Sequence, residues 1–172
     1  GNPINVSNCG DVRVINCEAV FATSDFVAMN LADAQKTVVN IENSLLVFGC
    51  RWHQVGGIKA LGARHISVVN NYARASRDHC VYIGEDGTEG RRDIEDLEIR
   101  GNQFADLLPA SITGSSVTVD TDIFVTTTFL VKRAAIRDNH CVSRTFGTSV
   151  GFSTLALGSG FSSRTEARRF RA

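Results

Sequence analysis

One short phrase recurs five times between residues 12 and 139, and no other feature restricts the possible folds as much. It occupies Val12–Cys17, Val39–Ser44, Ile66–Asn71, Leu97–Asn102 and Ala134–Asn139, as VRVINC, VNIENS, ISVVNN, LEIRGN and AAIRDN. Its first and third positions are apolar, so both fall on one face of a short strand. Its fifth position holds Asn16, Asn43, Asn70, Gly101 and Asp138. These residue types best tolerate a left-handed backbone, which lets a strand turn a corner. Its sixth position holds Cys17, Ser44, Asn71, Asn102 and Asn139, and asparagines stacked in this way hydrogen-bond from one layer to the next. Two residues further on, Ala19, Leu46, Ala73, Phe104 and Cys141 are expected to point inward as the next strand begins.

The phrases are spaced by 27, 27, 31 and 37 residues. Self-similarity at that interval is the mark of a solenoid, and a period of two in the apolar residues excludes helical repeats. The expected fold is all-β, a parallel β-solenoid of about five coils stacking to roughly 24 Å. A second strand precedes the phrase at Ile4–Val6, Ile58–Ala60 and Val81–Ile83, and in the second coil within Phe26–Leu31. The polar stretch Glu85–Arg92 reads as a corner insertion, and Leu107–Ser116 as a loop. Val117–Val125 alternates and is β-branched, so it reads as a strand that Thr126–Val131 extends or folds back on as a hairpin. Ser149–Leu157 reads as one more strand. Residues 1–158 thus form one domain, and 159–172 a polar, basic tail or short cap.

The charge balance, 18 basic against 18 acidic side chains, argues against a nucleic-acid partner. No apolar run is long enough to span a membrane, and no signal peptide is visible. Five cysteines without zinc spacing read as buried free thiols. A solenoid whose first strands lack a cap offers edges for association, so the chain reads as a piece of a longer protein or as a subunit capped by a partner.

The turn asparagines and the asparagine ladder resemble the right-handed parallel β-helix of the pectate-lyase-like superfamily, over Val12 to Cys141. That superfamily includes polysaccharide lyases, polygalacturonases, epimerases and phage tailspike depolymerases, together with adhesins of no known chemistry. The resemblance implies an acidic or complex polysaccharide lying across one sheet along the coil axis, and an extracellular or virion-associated location. It implies no cofactor; calcium is used by some members, but no carboxylate cluster that would hold it is assignable here.

Fold does not fix function, so sites are argued from residues. Asp120 and Asp122 share a strand face, with Cα atoms about 6.6 Å apart, within range of a glycosidase pair. Asp78 and His79, at a strand mouth, have the chemistry of an acid and a base. They lack the proline of the epimerase Asp-Pro-His motif, and the paired aspartates and Gly-His-Gly of polygalacturonases are missing. Trp52, the one tryptophan, lies between Arg51 and His53 and reads as an exposed aromatic suited to stacking on sugar rings. Tyr82 and Lys59 should face outward on adjacent coils, one strand spacing apart. With Trp52, His53, His79 and Arg91–Arg92 they would form a groove for an acidic glycan. Arg91–Arg92 beside Asp93, Glu95 and Asp96 also fits a self-paired surface.

Three functions follow as expectations. The first is recognition of acidic polysaccharide, within a depolymerase or alone. The second is a lyase, hydrolase or epimerase using Asp78/His79 or Asp120/Asp122. The third is an assembly module in which Phe124, Phe129, Phe146, Phe152 and Phe161 fill a trimer axis or an end cap.

Overall fold

The computed structural model describes residues 1–7, 10–22, 24–30, 44–84, 93–106, 121–126, 130–142, 148–153 and 156–157. Every regular element among them is a strand, and every strand pairing is parallel. The chain passes through sheets A, B and C in rotation. The first rung is β1 (Ile4–Ser7), β2 (Asp11–Ile15) and β3 (Glu18–Val20). The second is β4 (Asp25–Asn30), β5 (Ser44–Phe48) and β6 (Arg51–His53), and the third β7 (Gly56–Leu61), β8 (His65–Val69) and β9 (Tyr72–Arg74). The fourth is β10 (Arg77–Gly84), β11 (Ile94–Arg100) and β12 (Gln103–Ala105), and the fifth β13 (Thr121–Thr126), β14 (Leu130–Arg137) and β15 (His140–Val142). β16 (Thr148–Ser153) and β17 (Ala156–Leu157) extend sheets A and B, giving six, six and five strands. Three parallel sheets traversed in this way are compatible with a parallel β-helix.

The core is the column of inward residues that the alternation predicts. Ile58, Val81, Ile123 and Val125 in sheet A and Val47, Val68 and Ile99 in sheet B are fully buried. Sheet C contributes Trp52 and Phe104, each 1% exposed. Trp52 stacks on Phe26, with centroids 5.4 Å apart, and leans on Phe104 at 6.1 Å. These aromatics fill the space that the short three-residue strands of sheet C leave.

Register corrects one of the five phrases. Val12 pairs with Leu45 and Val14 with Val47, so the second coil's phrase is Leu45–Cys50 and not Val39–Ser44. Its left-handed residue is Gly49, its ladder residue Cys50 and its inward residue Trp52; Leu46, expected inward, pairs with Arg13 and Ser67 in the outward row. Residues 39–43 lie outside the described residues. True repeats begin at 12, 45, 66, 97 and 134, an uneven series. Thr126–Val131, expected to extend the preceding strand or fold back as a hairpin, is divided: Thr126 ends β13, 127–129 lie outside the described residues, and Leu130 opens β14, which pairs in parallel in sheet B. The strand expected at 117–125 is described from Thr121 onward.

Two columns of left-handed residues turn the corners. Between sheets B and C stand Asn16, Gly49, Asn70, Gly101 and Asp138, with φ between 53° and 64°. Between sheets C and A stand Phe21, Gln54, Ala75 and Asp106, with φ between 53° and 57°. In the second column Phe21, Gln54 and Ala75 are residue types that rarely adopt this conformation, at a cost of roughly 1–3 kcal/mol each, whereas Asp106 is of a type that tolerates it. Stacking offsets that cost, because the ladder of hydrogen bonds runs on through the corner. Phe21 N donates to His53 O at 3.0 Å, Gln54 N to Arg74 O at 3.2 Å and Ala75 N to Ala105 O at 2.8 Å.

Candidate functional site

The asparagine ladder is satisfied throughout, which marks it as structural. Asn102 Oδ1 accepts from Asn71 N at 2.9 Å and from Asn71 Nδ2 at 3.0 Å. Asn102 Nδ2 donates to Val68 O at 2.9 Å and to Asn139 Oδ1 at 2.8 Å. Asn71 repeats the pattern one rung earlier, toward Val47 O and Cys50 N. Cys50 then takes the place of an asparagine. Its Sγ accepts from Cys17 N and donates to Val14 O, both at 3.4 Å. Burial pushes the Cys50 thiol above its ordinary pKa, so it stays protonated and able to donate. Cys17, Cys50, Cys80 and Cys141 are all free thiols, Cys50 and Cys80 being buried.

On sheet A the outward row runs Ala28, Lys59 and Tyr82 in register. Lys59 and Tyr82 are therefore neighbours, as their sequence parity predicts, and Lys59 Nζ lies 5.7 Å from the centroid of the Tyr82 ring. The row is sheltered: Ala28 and Leu61, on the same side, are 2% and 1% exposed yet stand apart from the interior cluster.

His79 lies next to Tyr82, with ring centroids 5.6 Å apart. It is part of β10, at an irregularity where five residues of β10 (Arg77 to Val81) span the length of three of β7 (Gly56 to Ile58). Glycines make room for this. A Cβ on Gly57 would overlap the Cys80 carbonyl, and one on Gly56 would come within 2.7 Å of Asp25 Oδ1. Across this bare stretch His79 Nε2 reaches to 3.2 Å from Asp25 Oδ1, on the strand beyond β7. His79 is 7% exposed, and neither ring nitrogen has a hydrogen bond: the contact with Asp25 has the distance of an ion pair without the geometry of a hydrogen bond. A buried histidine normally finds partners for its ring nitrogens, so this one departs from the pattern of the ladder. The partner of His79 is thus Asp25, two rungs back, which sequence reading missed. The Asp78 side chain lies outside the described residues, as do Asp120, the Asp122 side chain, Arg91 and Arg92.

Trp52 does not offer a face to a sugar. It pairs with Ala19 and Ala73 in the inward row, and its Nε1 donates to Ser76 Oγ at 2.6 Å. Its neighbours Arg51 and His53 consequently face out, on sheet C and away from the Lys59–Tyr82 row on sheet A. His53 meets the 71%-exposed Phe21 edge-on, with centroids 5.9 Å apart. One signal could have placed Trp52: Gly49-Cys50-Arg51-Trp52 has the same form as Gly101-Asn102-Gln103-Phe104.

The acidic residues after Arg92 pair with neighbouring rungs. Glu95 accepts from Arg64 at 2.6 Å and Lys132 at 2.7 Å. Lys132, then Arg64, hold its carboxyl below the usual range. Asp96 meets Arg133 Nη2 at 2.9 Å and His65 Nδ1 at 2.8 Å, and Arg133 foremost lowers its pKa to about 2. Among the described residues no group of three or more His, Cys, Asp or Glu is placed to hold a metal ion, and no helix is long and apolar enough to cross a membrane.

Comparison of the chain with family models, curated proteins and solved structures returned no match.

Proposed function

We propose that the chain is a right-handed parallel β-helix of the pectate-lyase-like kind and that it recognises an acidic polysaccharide along sheet A. The observation that carries this reading is the contiguity of Lys59, Tyr82 and His79. A cation and an imidazole flank one half-buried phenol ring in a sheltered strip. The ring offers an apolar face to a sugar, and the ammonium offers a charge to its carboxylate. A sheltered strip strengthens that attraction by excluding water. The same reading sets the protein outside the cell or on a virion, where such polymers are met.

The test is a glycan array of polyuronates probed with the full chain and with the double variant Lys59→Ala/Tyr82→Ala. Loss of at least about tenfold in affinity is expected, as for truncation of a central contact. Unchanged binding would remove sheet A from consideration.

A second reading, an enzyme that cleaves or epimerises such a polymer, is favoured by the Asp25–His79 contact. A carboxylate 3.2 Å from one imidazole nitrogen is a pair that can pass a proton once a substrate reaches the ring. New reducing ends or ultraviolet-absorbing unsaturated sugars, abolished by His79→Ala, are its expected signature. Silence over a broad panel of uronate polymers counts against it.

A further inference from the structure

The true register of the second rung brings two cysteines face to face. Ile15 pairs with Phe48 and Glu18 with Arg51, and between them Asn16 N donates to Phe48 O and Arg51 N to Cys17 O. Cys17 and Cys50 therefore stand opposite each other on the first and second rungs, one strand spacing of about 4.8 Å apart at Cα. That separation falls inside the window of about 4.4–6.8 Å that a disulfide spans. They occupy the ladder column that Asn71, Asn102 and Asn139 continue. Among the described cysteines no other two are paired in this way: Cys141 stands opposite Phe104, and Cys80 lies on β10 in sheet A.

The two side chains point the same way. Cys17 Sγ lies 3.4 Å from Ile15 O, and Cys50 Sγ lies 3.4 Å from Phe48 O, one rung on. Cys50 Sγ is also 3.4 Å from Cys17 N and 3.4 Å from Val14 O, which puts its sulfur between the rungs, against the backbone of Cys17 itself. Turning the Cys17 side chain about its Cα–Cβ bond to another staggered position carries its sulfur toward that of Cys50. Thiols are weak hydrogen-bonding groups, so this is the loosest joint of the ladder; the amide contacts further along are 3.0 and 2.8 Å. Cys17 is half-buried and Cys50 fully buried, so an oxidant in solution meets Cys17 first.

We propose that Cys17 and Cys50 are a modification site, at which a small-molecule disulfide of the glutathione type oxidises the pair to a disulfide that staples the first rung to the second. The Cys17 thiolate attacks one sulfur of glutathione disulfide, forms a mixed disulfide and expels one glutathione thiolate, which takes up the proton that Cys17 released. Cys50 then gives up its proton, and its sulfur attacks Cys17 Sγ and expels the second glutathione. Two S–H bonds are replaced by one S–S bond in the protein, and the oxidant is reduced to two glutathione thiols. Burial holds the Cys50 thiol above its ordinary pKa, so Cys50 resolves the mixed disulfide and does not start the exchange. The new bond joins residues 33 apart in sequence and so restricts the unfolded chain. None of these residues belongs to the sheet A strip, so the staple and the polysaccharide reading can each fail alone.

The test is incubation of the full, folded chain with glutathione disulfide, followed by alkylation of the remaining thiols in denaturant and peptide mapping without reduction. The expected product is one peptide pair linked through Cys17 and Cys50, with Cys80 and Cys141 alkylated. The linked protein is expected to melt about 5 °C or more above the reduced one, and dithiothreitol to reverse the rise. Cys50→Ser, whose hydroxyl can keep the contact with Val14 O, is expected to stop at a glutathione adduct on Cys17. Cys17→Ser, at a half-buried position, keeps the fold and is expected to leave Cys50 unmodified. Recovery of both Cys17 and Cys50 as alkylated thiols overturns the inference. So does a link from either of them to another cysteine, or a link that forms only when the chain is oxidised in denaturant. A Cys17–Cys50 bond that does not raise the melting temperature overturns the staple, since the rungs would then have to part to form it.

Discussion

Asn102 and His79 are both buried polar side chains on the same solenoid, and they are treated in opposite ways. Asn102 is fully buried, and its side-chain oxygen and nitrogen together make four hydrogen bonds. His79 is nearly as buried, and neither ring nitrogen makes one. Burying a polar group without partners costs about 1–3 kcal/mol, which folding alone gives no reason to keep. The lesson is one of direction. Satisfied polar groups account for how the rungs hold together, while an unsatisfied one, beside Asp25 and Tyr82, is the group that the proposed site on sheet A would put to use.

The sharpest way to break this contrast is Asn102→Ala. It leaves the Asn71 amide and the Val68 carbonyl without their partners in the interior, so a loss of about 3 kcal/mol is expected in denaturant titration. A loss under about 1 kcal/mol would mean that the ladder does not hold the register, since a surface change costs no more than that.

A smaller effect is expected on the outer face of sheet B. Asp96 there is 43% exposed, so Asp96→Asn costs under about 1 kcal/mol at pH 7. Its folded pKa, about 2, lies below the ordinary 3.8, so the carboxylate stabilises the fold above pH 3.8. That contribution fades as pH falls from 3.8 through 2. Melting curves of the two proteins should therefore converge over that window; a gap that persists at the acid end would refute the assignment.

The smallest effect belongs to His79. An apolar side chain of similar size removes a desolvation cost and breaks no hydrogen bond, so His79→Leu should shift stability by about 1 kcal/mol or less, in either direction. A loss above about 3 kcal/mol, the size seen when a buried ion pair is broken, would make the Asp25 contact a structural tie and remove His79 as a site residue.

Much of the scaffold was legible in the sequence because each layer repeats the same local demands. The inward apolar pairs, the left-handed corner and the ladder asparagines recur at fixed offsets, so Asn71, Asn102 and Asn139 could be assigned from composition and order. The second coil misled because Val39–Ser44 carries asparagines, whereas the true phrase uses Gly49 and Cys50. Glycine meets the backbone demand as well as asparagine, and a thiol meets the hydrogen-bonding demand of the ladder. Trp52 was misjudged with it, since placing the phrase six residues early hid that Trp52 holds the inward position two residues after the ladder residue Cys50. The column Phe21, Gln54, Ala75 and Asp106 was hidden for a different reason: neighbouring rungs, and not residue type, hold its conformation. The site was least legible. Asp25 and His79 are distant in sequence and meet only because Gly56 and Gly57 leave nothing between them, a fact about register that no local pattern records.

The uneven rungs have a consequence of their own. Successive repeats begin 33, 21, 31 and 37 residues apart, yet sheet B keeps an unbroken register from β2 to β14. The B–C corner is two residues long in every rung, and all the variation in length falls at the other two corners. The molecule thus keeps count on one edge and stores novelty on the others. Chain can be added or exchanged between sheets A and B, or between C and A, without disturbing the tally, and this scaffold could change its chemistry repeatedly while remaining the same fold.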